Sequence, residues 1–143
     1  MSVTIPILDS KNVYAHFDID TSILNVAYYG VLDSDSAVDL HTWIEQMRDT
    51  IGARPIKGVI FDFRKVVRFK RDNLYTTAQQ SQQLQQHTES RQCPIALIVS
   101  TYYQEQMVQI MMLTATDAEM RRVVHTEEEA RYYVTQGYAE QDS

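Results

Sequence analysis

Apolar and polar positions alternate near the start of the chain, where Val13, Ala15, Phe17 and Ile19 interleave with Asn12, Tyr14, His16 and Asp18. A period of two marks a strand with one buried face. Asp20-Thr21-Ser22 turns the chain into a second alternating run, in which Leu24, Val26 and Tyr28 oppose Ile23, Asn25 and Ala27. So short a connection predicts an antiparallel hairpin. Gly30 ends the second strand. Asp33 or Ser34 then caps a helix whose apolar positions Ala37, Leu40, Ile44, Met47 and Ile51 recur at spacings of three and four. Gly52 and Pro55 stop it.

Gly58 to Phe63 is apolar on both faces, the pattern of an interior strand. A basic loop from Arg64 to Arg71 follows, and a helix begins near Asp72 and runs to about Thr88. Its apolar positions are chiefly Leu74, Ala78 and Leu84, and six glutamines (Gln79, Gln80, Gln82, Gln83, Gln85, Gln86) fill much of the rest. Glutamine is a good helix former, so the element stands, with a modest grip on the core. Cys93 to Val99 is a second interior strand, with Pro94 tolerated at its start. Tyr103 to about Leu113 reads as a helix with Met107, Ile110 and Met111 facing inward. Arg121 to His125 is a short edge strand. Thr126 with Glu129 matches a capping box, and Ala130, Tyr133 and Val134 pack a last helix that Gly137 terminates.

The resulting order, β-β-α-β-α-β-α-β-α, predicts an α/β fold with a mixed sheet: an N-terminal antiparallel hairpin, then right-handed parallel crossovers. One domain is expected over residues 10–137, with short tails at 1–9 and 138–143. At 143 residues the chain can bury a real core without staples.

Charge narrows the function classes. A net charge of −6 argues against general nucleic-acid binding, which needs a dominant basic face. The single cysteine, Cys93, excludes an intramolecular disulfide and fits a reducing compartment. The N-terminal residues lack a secretory pattern, and no apolar run is long enough to cross a bilayer, so a cytoplasmic protein is expected.

Against this acidic background, five of the thirteen Lys and Arg residues fall between Arg64 and Arg71: Arg64, Lys65, Arg68, Lys70 and Arg71. Cations beside a helix N-terminus, at the carboxyl end of an interior strand, form a candidate anion site. The same charges also suit a protein-docking surface, or a solvated loop paired with nearby acids. Asp62 lies mid-strand between two phenylalanines. It reads as a structural tie for the basic loop rather than as an acid or base, since no His or second carboxylate accompanies it. His16, His41, His87 and His125 lie on four elements without ligand spacing, so no metal site is expected, and no cofactor motif is present. Cys93 is a small hydrophobe at a strand entry. Met107, Met111 and Met112 with Tyr102 and Tyr103 are core filling first, but Val108 and Met112 fall off the Met107–Met111 stripe, which points to a contact with a second copy or an apolar pocket.

Several segments resemble the SpoIIAA-like branch of the STAS domain family, which includes bacterial anti-sigma-factor antagonists. They are Tyr29-Gly30-Val31-Leu32, Gly58 to Phe63, Pro94 to Val99 and the close Arg122 to Val134. The likeness spans roughly residues 12–135 and implies that family's fold. In the antagonists an Asp-Ser-Ser/Thr-Gly signature opens the helix after the central strand, and its first serine is phosphorylated. Setting Phe61-Asp62-Phe63 on that strand places Lys70-Arg71-Asp72-Asn73-Leu74 on the signature, with Arg71 in the phosphoacceptor's place. The resemblance therefore implies a non-enzymatic regulatory or protein-interaction module without the phosphoserine switch, its partner surface formed by the basic loop and the Gln-rich helix. The alternative is a carrier or sensor of a small anionic or lipid-like ligand held by the basic loop, by analogy with lipid-carrying CRAL-TRIO domains.

Overall fold

The computed structural model describes residues 5–52, 56–72, 93–113 and 118–137. Its centre is a six-stranded sheet in the order β1-β2-β3-β4-β5-β6. β2 (Val13–Asp18) and β3 (Ile23–Leu32) form the expected antiparallel hairpin, while β4 (Gly58–Phe69), β5 (Ile95–Ile98) and β6 (Arg121–Val124) each run parallel to the strand before. β1 (Leu8–Asp9) pairs antiparallel with β2. β1 lies in the expected N-terminal tail. It is held because the Trp43 indole N–H donates to the Pro6 carbonyl at 3.0 Å and the Tyr29 hydroxyl donates to the Ser10 carbonyl at 2.7 Å.

Two hydrophobic layers sandwich the sheet. On one face, α1 (Ser34–Ile51) and α2 (Tyr102–Leu113) pack through Leu40, Trp43, Ile44, Met47 and Val108 onto Val13, Val26, Val59, Phe63 and Leu97. On the other, α3 (Glu127–Tyr132) and the wider π-type turn that continues it to Gly137 set Ala130, Tyr133 and Val134 on Ile23, Ile60, Ala96 and Ile98. β4 and β5 are therefore covered on both sides, as their apolar runs predict. The approach is close: a Cβ on Gly58 would lie 2.9 Å from that of Val134. Asp33 caps α1 as expected, its carboxylate accepting from the Ser36 N–H, and Gly52 closes that helix with φ at +65°.

Three elements depart from expectation. First, β3 does not end at Gly30 but continues to Leu32. Gly30 takes φ +75° there, a conformation that favours glycine, and a Cβ would stand 3.0 Å from the Asn12 amide nitrogen. Second, β4 does not end at Phe63. It runs six residues further, so the expected basic loop is mostly strand. Two bulges explain why its pattern hides it. Between the pairs Ala27–Asp62 and Tyr29–Lys65, one residue of β3 faces two of β4, and Val67 is a second extra residue between Gly30–Val66 and Val31–Arg68. Each bulge turns the strand, so the inward positions become Phe63, Val66 and Phe69, every third residue instead of every second.

Third, α2 is rotated from the expected register. Its buried residues are Gln104 and Val108, with Met107 and Met111 only partly covered and Ile110 about half exposed. A polar residue faces inward because β4 outruns its neighbour. β5 pairs with β4 only as far as Asp62, so the edge of β4 beyond that point has no described strand beside it. Gln104 fills the gap. Its side-chain amide donates to the carbonyls of Arg64 and Val66 at 3.1 and 3.0 Å, and its Oε1 accepts the N–H groups of Ser100 and Thr101 at 2.8 and 3.2 Å. The neighbouring Tyr103 hydroxyl accepts the Phe69 N–H at 2.8 Å. Every donor and acceptor of the buried amide is used, which is the condition for burying one.

Replacing Gln104 by leucine keeps the bulk but strands two carbonyls and two N–H groups. Urea denaturation is expected to show a loss of about 2–4 kcal/mol, against less than about 0.5 kcal/mol for the exposed Gln46→Leu. A neutral Gln104→Leu would reject the clamp.

Candidate functional site

The bulged half of β4 places the basic residues. Phe63, Val66 and Phe69 turn into the core, where the rings of Tyr28 and Phe63 stack at 5.2 Å and those of Phe63 and Phe69 meet at 5.6 Å. Phe69 in turn meets Tyr103 edge-on at 6.0 Å. Between these anchors Arg64, Lys65 and Arg68 are exposed, and Val67 stands 74% exposed among them. Lys70 leaves the strand, and Arg71 and Asp72 open a helix, all three exposed. Residues 73–92, expected to continue that helix and to carry the glutamines and His87, lie outside the described residues, as do residues 53–55.

The five cations are not equivalent. Arg64 is committed to Asp62: its Nε lies 3.0 Å from Oδ1 and its Nη2 2.8 Å from Oδ2, and its backbone N–H donates to Oδ1 at 3.0 Å. Burial alone would push the Asp62 carboxyl up, but the Arg64 hydrogen bonds and the charges of Arg64 and Lys65 outweigh it and hold the carboxyl below its ordinary value. The hydrogen bonds to Asp62 raise the Arg64 guanidinium correspondingly, with Glu127 at the start of α3 adding to the effect. Both Asp62 carboxylate oxygens are thus engaged by Arg64, the geometry of a tie between neighbouring strand residues. Among the described residues, Lys65, Arg68, Lys70 and Arg71 make no salt bridge, so they carry the positive charge of the surface.

The strands follow one another across the sheet in sequence order, and α1 and α2 lie on the same face. Among the described residues the strand order does not reverse, and such a reversal is what marks a switch point in open α/β sheets. Elsewhere, His125 lies 3.4 Å from Glu105 and His41 3.2 Å from Glu45, and no cluster of three or more metal-ligating side chains occurs among the described residues. Cys93 is half-buried at the strand entry.

Sequence reasoning missed Gln104 and Val67, and it read Tyr103 as core filling beside the methionines without its bond to Phe69. A signal for the first was present: Thr101-Tyr-Tyr-Gln104 is itself a capping-box pattern, and here the box is reciprocal, with Gln104 N–H donating to the Thr101 hydroxyl at 3.1 Å. At Thr126 only half the motif forms in that way. The Glu129 N–H donates to the Thr126 hydroxyl at 3.0 Å, while that hydroxyl donates to the Glu129 carboxylate.

The Asp62–Arg64 tie has a pH signature. With the folded carboxyl held below its unfolded value, the stabilisation is complete above about pH 4 and is lost as pH falls through the depressed folded value. Asp62→Asn should therefore lower the urea midpoint near neutrality and converge on the wild type in strong acid. Parallel pH profiles for the two proteins would show the tie to be idle.

Comparison with solved structures identifies the architecture. The chain superposes with a TM-score of 0.63 on an uncharacterised DUF3478-family protein with a SpoIIAA-like fold from Shewanella loihica PV-4, at 10% identity, covering 89% of this chain and 98% of that one. It superposes with a TM-score of 0.58 on the anti-sigma factor antagonist SpoIIAA in its unphosphorylated form, at 14% identity, covering 84% of this chain and 95% of that one. No protein-family model and no curated protein matches the sequence. A mixed six-stranded sheet with an antiparallel start, matched over nearly the full length of both structures, shows that this chain has a SpoIIAA-like fold.

Proposed function

We propose that this protein is a non-enzymatic regulatory module that docks a protein partner on the ridge formed by Lys65, Val67, Arg68, Lys70 and Arg71. The observation that carries the reading is the bulged half of β4. Two bulges and the Gln104 clamp turn Lys65, Val67 and Arg68 outward from the strand, and Lys70 and Arg71 follow its end, so that an apolar residue is set among unneutralised cations. Such a mixture suits a partner that offers carboxylates around an apolar contact. One relative by fold is an anti-sigma factor antagonist, which is consistent with a role in protein interaction. A phosphoserine switch is not part of the reading, because Arg71 stands where the resemblance sets the phosphoacceptor.

A carrier of a small anionic or lipid-like ligand is the weaker alternative. It would need a cavity beside the ridge to take the ligand. No helix among the described residues is long and apolar enough to cross a membrane, and we assign the module to the cytoplasm.

Arg68→Glu combined with Arg71→Glu reverses the ridge's charge at exposed positions. Affinity capture from cell lysate is expected to lose its partner, while the thermal unfolding midpoint stays within the small range usual for surface changes. Capture that survives the reversal would reject the ridge as the interface.

A further inference from the structure

Apart from Tyr103 on its flank, which holds Phe69, the side chains on the outward face of α2 make no hydrogen bond or ion pair among the described residues, and their chemistry is unusual for an acidic chain. Tyr102 is 76% exposed, Leu113 84%, Ile110 48% and Tyr103 41%. Gln106 and Gln109 complete this face, and both are exposed. The helix's only charged side chain, Glu105, lies to one side within 3.4 Å of His125. The face therefore carries no charge, in a chain of net charge −6.

Tyr102, Gln106, Gln109 and Leu113 follow one another at steps of four, three and four, which is the seam spacing of packed helix pairs. The seam also reads the same when reversed about its midpoint. Laid antiparallel on a second copy, Tyr102 meets Leu113 of that copy, Gln106 meets Gln109, and on one flank Tyr103 meets Ile110. A two-fold interface requires this kind of self-complementarity, in which each residue finds its partner from the same patch. The central glutamines satisfy it too, since an amide donates and accepts and so pairs with another amide, which a charged side chain cannot do with its own copy.

We infer that α2 is a homodimer interface, an antiparallel helix pair centred between Met107 and Val108 with the Gln106 and Gln109 amides joined across the axis. At roughly 200 Å2 for each fully exposed large side chain, the four apolar residues offer about 500 Å2 per copy. A standard interface needs about 800 Å2 per partner, and the glutamines with their rim supply the remainder. The interface uses none of the ridge cations, so dimerisation and partner docking are independent.

Sedimentation equilibrium of the full chain is expected to show a monomer–dimer equilibrium at micromolar concentrations. Leu113→Lys and, separately, Ile110→Lys should each raise the dissociation constant roughly tenfold or more, with unchanged thermal unfolding, because a buried lysine has no partner in the seam. Orientation is tested in a Cys93→Ser background: Gln106→Cys chains mixed with Gln109→Cys chains should form the mixed disulfide on oxidation in preference to either self-disulfide. A monomer throughout the range, a dimer that ignores both lysines, or a dimer without the mixed disulfide would each overturn the inference.

Discussion

One buried amide reconciles two strands of unequal length. β4 extends past β5 to form the far end of the sheet, and that extension leaves backbone carbonyls with no neighbouring strand among the described residues. Unpaired buried carbonyls are costly, so an element must come to them. Gln104 does so from the first turn of α2, while its oxygen gathers the N–H groups of Ser100 and Thr101 that turn the chain out of β5. The same residue thus ends one strand, starts a helix and borders another strand. Tyr103 extends the edge by one more bond, to Phe69.

The orientation of two surfaces follows from that clamp. With Gln104 and Val108 inward, the opposite side of α2 presents Tyr102, Gln106, Gln109 and Leu113 to solvent. With β4 held in place to Phe69, its bulges decide which side chains reach the core and which become the ridge. The Asp62–Arg64 tie operates at the first bulge. It removes one arginine from the ridge and pins the backbone where the strand changes its twist.

Much of the framework was legible in the chain. The alternation from Val13 to Tyr28, the stripe from Ala37 to Met47 and the continuous apolar runs of β4 and β5 each express a single period, and each element formed where its period placed it. The Asp33 cap and the Gly52 stop are local chemistry and were readable for the same reason. β4 beyond Phe63 was not readable, because a bulge breaks the period on which strand recognition rests. Phe63, Val66 and Phe69 recur at three, which resembles a loop or a helix turn until the partner strand is known. α2 misled for a different reason. Hydrophobicity points methionines and isoleucine inward, and only an unpaired strand edge makes a glutamine the better core residue.

Composition and local spacing thus established an α/β chain with an acidic balance and five clustered cations, because these depend on residue type and near neighbours alone, while the SpoIIAA-like pattern entered only as a resemblance of particular segments. Tertiary structure decided which of those cations is spent internally, which residues stand on the bulged strand and which face of α2 meets solvent. Those outcomes depend on backbone groups far apart in the chain, such as the carbonyls of Arg64 and Val66 that Gln104 satisfies. The basic cluster was visible from the residues; that it is a bulged strand instead of a loop could be settled only by pairing β4 with β3.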